Sequence, residues 1–250
     1  MSKKITLGIF SNNTLKIIAA IAMVCDHAGV LLFPKFTILR IIGRLAFPIF
    51  AYLIAEGAKH TRNKLRHLIV FASFAAIIQA VYFLVNPSLE MSVMVTFTLS
   101  LLMIYALDAL KNSFFAKKPS KRRIALTAVL FVGSVALTIL LDRVVDLDYG
   151  LSGALLPIFP AIFTAPKAEG TPAIFKKADT KLIRVAATAL GVIALSIDYG
   201  GHQFFSLLAI PLLILYSEKR GKLNMKYFFY IFYPLHLVLL YLIAILMRYL

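Results

Sequence analysis

The sequence predicts an all-α integral membrane protein, a polytopic bundle of about nine transmembrane helices with the N-terminus cytoplasmic and the C-terminus external. Three observations predict it. The 250-residue chain is 61% hydrophobic and only 15% charged, whereas a soluble domain carries about 25% charged residues. Its apolar residues fall in long runs separated by charged or helix-breaking connections. Its 27 Lys and Arg, set against 11 Asp and Glu, concentrate in every second connection.

A spanning helix needs about 20 mostly apolar residues. Runs of that kind cover 15–33, 37–58, 66–85, 92–110, 124–141, 149–165, 182–198, 203–217 and 227–249. The first run contains Asp26 and His27 and leads straight into the second, which reads as a retained spanning helix rather than a cleaved signal. The sixth and eighth are short and carry Pro157, Pro160 and Pro211, so kinked, tilted or incompletely spanning helices are expected there. The longest loop, about 166–181, holds no hydrophobic run, and a single membrane-embedded domain over 1–250 is expected. Trp is absent, leaving Tyr and Phe to form any aromatic belt. The lone Cys25 has no intrachain partner and reads as a small buried hydrophobe.

Charge in the connections fixes the orientation. The basic groups are Lys3, Lys4 and Lys16; Lys59, Arg62, Lys64 and Arg66; Lys111 through Arg123; Lys167 through Arg184; and Lys219, Arg220, Lys222 and Lys226. The connections between them, at Pro34–Lys35, Asn86 to Glu90, Asp142 to Asp148 and Asp198 to His202, are acidic or poor in Lys and Arg. A wrong helix count would scramble this alternation. It therefore places the N-terminus inside and accounts for the net charge of +16 as topology, which removes the case for a nucleic-acid partner.

Ionisable groups within apolar runs cost several kcal/mol unless paired or hydrated, so they are candidate functional residues. The first hairpin turns at Pro34–Lys35, and residues equally far from that turn lie at similar depth. Asp26 before it and Arg44 after it both fall roughly 13 Å below the outer surface. Arg40 and Arg44, four residues apart, share a helix face with the aspartate in reach. A structural clamp joining two helices is the plainer reading. The functional one is a site in which Asp26 orients His27 while the arginines bind an anionic or oxyanionic group. Glu56, near the inner end of the second helix at a depth comparable to Lys16, suits a helix-end ion pair or substrate contact. His236 lies near the midplane of the last helix, where Pro234 frees a carbonyl one turn earlier. It reads as a lined cavity or a hydrogen-bonded structural histidine. His60 and His67 sit among loop cations and read as solvated.

The tripeptide Asp-Tyr-Gly occurs twice, at Asp148-Tyr149-Gly150 and Asp198-Tyr199-Gly200. Asp148 suits an ordinary helix cap. The second copy runs on into Gly201-His202-Gln203, a polar rim, and the two copies are candidates for an external entrance. No zinc-type motif, paired cysteines, phosphate-binding glycine loop or serine elbow is present, so no metal is expected.

Taken in order, several motifs resemble the TraX family of membrane proteins over almost the whole length. They are Leu15-Lys16-Ile17-Ile18 leading to Asp26-His27, then Arg40 through Ala51 (Arg-Ile-Ile-Gly-Arg-Leu-Ala-Phe-Pro-Ile-Phe-Ala) with Glu56-Gly57. Phe97-Thr98-Leu99-Ser100, both Asp-Tyr-Gly copies and Phe232-Tyr233-Pro234-Leu235-His236 complete the set. Ser217-Glu218 stands where the family has Asn-Gly. The family takes its name from a protein that acetylates pilin, and wider membrane acyltransferases resembling it use an intramembrane histidine. The resemblance therefore implies an enzyme, an acyl-CoA-dependent acetyltransferase of the bacterial cytoplasmic membrane. Acetyl-CoA is its expected co-substrate, membrane lipid its surroundings, and a peptide, glycan or small molecule the acceptor. It assigns Asp26, His27 and His236 to catalysis, with His27 as general base, Asp26 fixing its tautomer and His236 as second choice or partner. Arg40 and Arg44 would stabilise the oxyanion. Glu56, Tyr233, Asp148, Tyr149, Asp198 and His202 complete the expected substrate-binding set.

Two other classes stay open on the residues alone. A small proton-coupled transporter or flippase would also bury Asp, Glu, His and Arg, although no inverted internal repeat is visible and nine spans divide poorly into halves. A non-catalytic membrane assembly factor is the third.

Overall fold

The computed structural model describes residues 8–85, 88–222, 225 and 228–248. Of the connections read from sequence, Lys3, Lys4, Asn86 and Lys226 lie outside the described residues. The fold is helical: α1 (Asn12–Leu31), α2 (Thr37–Gly43), α3 (Ala46–His60), α4 (Lys64–Val85), α5 (Val93–Phe114) and α6 (Lys121–Val144) are followed by α7 (Gly150–Leu155), α8 (Ile158–Ile162), α9 (Ala173–Ala178) and α10 (Lys181–Tyr199). A 3-10 helix (Gly201–Leu208), α11 (Ala209–Ile214) and α12 (Phe228–Arg248) complete the order. Two additions the sequence did not announce are the short α9 within the loop read over 166–181 and a parallel two-residue ladder, β1 (Glu90–Met91) against β2 (Asp146–Leu147), which ties the connection after α4 to the one after α6.

Among the described residues, six stretches are long and apolar enough to cross a membrane: Asn12–Leu31, Thr37–His60, Lys64–Leu84, Val93–Phe114, Lys121–Val144 and Lys181–Tyr199. Three shorter apolar stretches, Gly150–Ile162, Gly201–Ile214 and Ile231–Met247, fall where the remaining apolar runs were read.

Two breaks have a proline as their cause. The run read as one helix over 37–58 is divided at Arg44–Leu45. Pro48 has no N–H for the Arg44 carbonyl four residues earlier and its ring crowds that oxygen, so the helix restarts at Ala46. In the sixth run, Pro157 does the same to Gly153 and separates α7 from α8. The eighth run opens as a 3-10 helix that starts at Gly201 with Gly200 as its cap, and the positive φ values of 66° at Gly200 and 50° at Gly201 suit glycine.

Packing is that of a protein in lipid. In α6, large apolar side chains such as Leu126, Val129, Val132 and Leu140 are exposed, while Thr127, Ser134 and Thr138 are buried. Each buried hydroxyl donates to a carbonyl of the preceding turn, at 2.9, 2.7 and 2.9 Å. A soluble helix would show the reverse; apolar faces outward with satisfied hydroxyls inward fit a bilayer. In α1 the small residues Ala19, Ala20, Ala22 and Gly29 are buried and Ile21 and Val30 exposed, which lets neighbouring backbones approach closely.

The chain forms two compact units, Met1–Phe50 with Ser196–Leu250, and Ala51–Leu195. In the second, Leu101, Met103, Ile104, Ala154, Ile158 and Ala161 belong to one buried cluster with Ala55 and Ala58. Ser100 pins α5 to α7 there by donating to the Ala154 carbonyl at 2.7 Å.

Candidate functional site

The first unit assembles a polar site from α1, α2, the 3-10 helix and α12. Its base is the packing of α1 on α2. A Cβ added to Gly43 would lie 2.3 Å from Oδ1 and 2.4 Å from Cβ of Asp26, so only glycine admits the aspartate here. Asp26 then meets both arginines: Arg40 Nη1 donates to Oδ2 at 2.9 Å and Arg44 Nη2 to Oδ1 at 2.6 Å. The depth argument from the hairpin turn thus corresponds to real contacts. Arg44 goes further, donating from Nη1 to Gln203 Oε1 at 3.0 Å. Gln203 is in turn held by its Nε2 donating to Ser206 Oγ at 2.7 Å and by Ser196 Oγ donating to its carbonyl at 3.1 Å. Arg44 is deeply set, with 11% of its side chain exposed, whereas Arg40 keeps 35% exposed.

The two histidines share a second arrangement. His27 Nδ1 lies 2.8 Å from the Met23 carbonyl and His236 Nδ1 lies 3.0 Å from the Phe232 carbonyl, each one turn earlier in its own helix. A carbonyl oxygen only accepts, so in each neutral ring the proton sits on Nδ1 and the lone pair on Nε2. His236 Nε2 then faces His27 Nδ1 at 3.5 Å, and the rings meet edge to face with centroids 5.1 Å apart. The backbone, and not Asp26, sets the His27 tautomer; the Asp26 carboxylate is taken by the guanidiniums. His27 Nε2 has no hydrogen-bond partner among the described residues, while His236 is buried between Phe232, stacked on it at 5.1 Å, and Tyr233.

The remaining expected residues divide. Glu56 is buried in the second unit, with Oε2 3.6 Å from Arg184 Nη2 and Oε1 3.0 Å from His60 Nε2. Arg184 also pairs with Asp179, which receives Lys59 Nζ at 3.0 Å and the Ala165 amide at 3.1 Å. Burial raises the Asp179 carboxyl, but the hydrogen bonds from Lys59 and Ala165 and the nearby cations outweigh it and hold the group below the usual carboxylate range. Of the two histidines read as solvated, His60 is exposed while also meeting Glu56, whereas half-buried His67 is bonded to the Tyr105 hydroxyl at 2.6 Å.

Asp148 is not the cap of α7. Tyr149 occupies that position in the left-handed region with φ 61°, and the Asp148 carbonyl accepts from Thr96 Oγ1 at 2.8 Å. Asp198 and His202 are exposed, the latter stacked on Phe205. The two Asp-Tyr-Gly copies belong to different compact units. Sequence reasoning placed His202 in the site where the structure places its neighbour Gln203; only the 3-10 turn, which carries no clear signature, decides which of the two points inward. Among the described residues, no three His, Cys, Asp or Glu side chains gather as a metal site.

Helices with apolar faces outward, enclosing an aspartate clamped by two arginines beside a histidine pair, define a multi-pass membrane protein with a buried polar site. The sequence model described as TraX protein matches residues 11–244, and the chain belongs to the TraX family. A protein of Dichelobacter nodosus named "Probable fimbrial assembly protein FimC, serogroup H1" is 29% identical, over 96% of this chain and 97% of its own. An uncharacterized protein of Rickettsia prowazekii is 55% identical over 38 residues, 15% of each chain. No solved structure matches.

Proposed function

We propose that the protein is an acyltransferase of the bacterial inner membrane, moving an acetyl or similar acyl group from acetyl-CoA to an amine or hydroxyl acceptor. One observation carries this reading: His27 Nε2 bears an uncommitted lone pair while Nδ1 is engaged by the Met23 carbonyl and faced by His236. A neutral imidazole held that way suits proton removal near neutral pH. His27 takes the proton from the acceptor N–H or O–H as its nitrogen or oxygen attacks the thioester carbonyl. The carbon–sulfur bond breaks, and the thiolate leaves with that proton or one from water. His236, its Nε2 lone pair toward His27 Nδ1–H, favours the imidazolium that forms. Of the two arginines, Arg40 is the better oxyanion donor, because Arg44 is occupied by Asp26 and Gln203.

The nine-span arrangement with the N-terminus inside belongs to the same proposal. Its support is the alternation of basic and acidic connections, together with helical segments at all nine expected positions.

A second reading, a non-catalytic assembly factor, is favoured by the name of the Dichelobacter relative. The test is direct. The purified protein in nanodiscs is given radiolabelled acetyl-CoA and solubilised membrane components from a strain lacking it. Label transfer that disappears in His27→Ala supports the enzyme. Absence of transfer, together with full complementation of the strain by His27→Ala, establishes the assembly role instead.

A further inference from the structure

The second unit contains a cavity of about 410 Å³ that none of the chemistry above uses. It lies at the C-terminal ends of α3, α5 and α8 and is lined by Lys59, Arg62, Lys111 and Lys167, with Asp108 as its one carboxylate and Tyr105 among its aromatic and apolar walls. Its size falls within the range of about 300–1,000 Å³ typical of small-ligand sites.

Most of its charges have structural work. Lys59 pairs with Asp179. Asp108 pairs with Lys64 and accepts from Asn112 at 3.1 Å. Lys111 directs its ammonium to the carbonyls of Ala161, Ile162 and Thr164 at 2.9, 3.3 and 2.6 Å, offsetting the negative end of α8. Arg62 and Lys167 are different. Both are exposed at the cavity wall and make no hydrogen bond or ion pair among the described residues. Two uncommitted cations thus stand over a concave surface whose carboxylate is already neutralised, and a low-dielectric wall concentrates their field.

We propose that this cavity binds a phosphate ester or diphosphate, with Arg62 as the two-pronged donor and Lys167 as the companion charge. Guanidinium matches phosphate oxygens in pairs, and an ammonium adds a point charge. Lys59 and Lys111 contribute field and not direct bonds. Two sources share this chemistry, a soluble nucleotide diphosphate and a phospholipid headgroup. The inference stands on the second unit alone and is independent of the role given to the histidines.

The full-length protein in phosphatidylcholine nanodiscs is titrated with pyrophosphate, ADP and coenzyme A, with heat and thermal unfolding as readouts. Binding that weakens as salt rises, and that falls about tenfold or more in Arg62→Gln/Lys167→Gln, supports a soluble phosphate ligand. The control Lys176→Gln/Lys177→Gln removes the same charge elsewhere in the second unit and should leave binding unchanged. Thermal stabilisation by phosphatidylglycerol nanodiscs that depends on Arg62 and Lys167, without soluble-phosphate binding, supports the headgroup source. Neither effect in the wild-type protein, or equal effects in the double variant, overturns the proposal.

Discussion

His236 Nε2 stands 3.5 Å from His27 Nδ1, across 209 residues of sequence. The geometry makes the two rings unequal: among the described residues His27 Nε2 has no hydrogen-bond partner, and in the proposed mechanism His236 acts only through His27. His27→Ala is therefore expected to lower acyl transfer by about 10²–10⁴-fold, and His236→Ala by less. Adding His236→Ala to His27→Ala should cost little more, because residues acting as one unit are not additive. Rate constants for the two single variants and the double variant check this. A double variant as far below His27→Ala as His236→Ala is below wild type would show that the histidines act independently.

Asp26 bridges two guanidiniums and offsets one of their two charges, and its loss leaves both cations uncompensated. Asp26→Asn is expected to destabilise the first unit by about 3–5 kcal/mol, the usual cost of orphaning a buried charge. Arg44→Gln should come next and Arg40→Gln last, since Arg40 is the more exposed and solvent screens its pair. Thermal unfolding in nanodiscs gives the order. An Arg40 variant less stable than the Arg44 variant would contradict it.

Gly43 and Gly57 offer a matched contrast. Alanine at Gly43 places a methyl inside Asp26, with contacts down to 2.3 Å, whereas a Cβ on Gly57 meets nothing within 4 Å. Gly43→Ala is expected to cost about 1–3 kcal/mol by overpacking and to reduce activity by displacing Asp26. Gly57→Ala should be neutral or stabilising by up to about 1 kcal/mol through helix propensity. Equal unfolding temperatures for the two variants would refute the close approach.

Asp179 gives the second unit an acid dependence with a definite sign. Its folded carboxyl lies below the usual range, so the stability it contributes is complete above the unfolded value of about 3.9. That contribution is lost as pH falls through the lower folded value. Asp179→Asn should therefore be less stable than wild type at neutral pH, and the gap should close below about pH 4. A gap that stays constant across that range in an acid-unfolding series would show that the carboxylate charge is not what stabilises Lys59 and Arg184.

The sequence carried the Asp26, Arg40 and Arg44 contacts because hairpin depth and helical spacing are local geometry. The run of Arg40 through Ala51 even contained Pro48, the cause of the break at Arg44–Leu45, although the break itself was read through as continuous helix. Contacts made by backbone atoms were out of reach: Met23 and Phe232 enter only through their carbonyls, which any residue carries. The partner of Glu56 was equally hidden, since Arg184 lies 128 positions further along and apolar helices give no signal of which faces meet. Gln203 was read only as part of a rim because an eight-residue 3-10 helix has no period distinct enough to show its inward face.

The Asp26–Arg44 bond also bears on how the polypeptide first enters lipid. Asp26 resides in α1, Arg40 in α2 and Arg44 at the C-terminal cap of α2, so either segment released singly from the insertion machinery would carry charge into hydrocarbon at about 2.5–3.5 kcal/mol per group. Partitioned together, with Gly43 letting them close, the aspartate offsets one of the two arginine charges and the cluster enters with a single positive charge instead of three separate charges. The first two helices thus form one biogenesis step, and the short turn between them is the hinge on which that step folds.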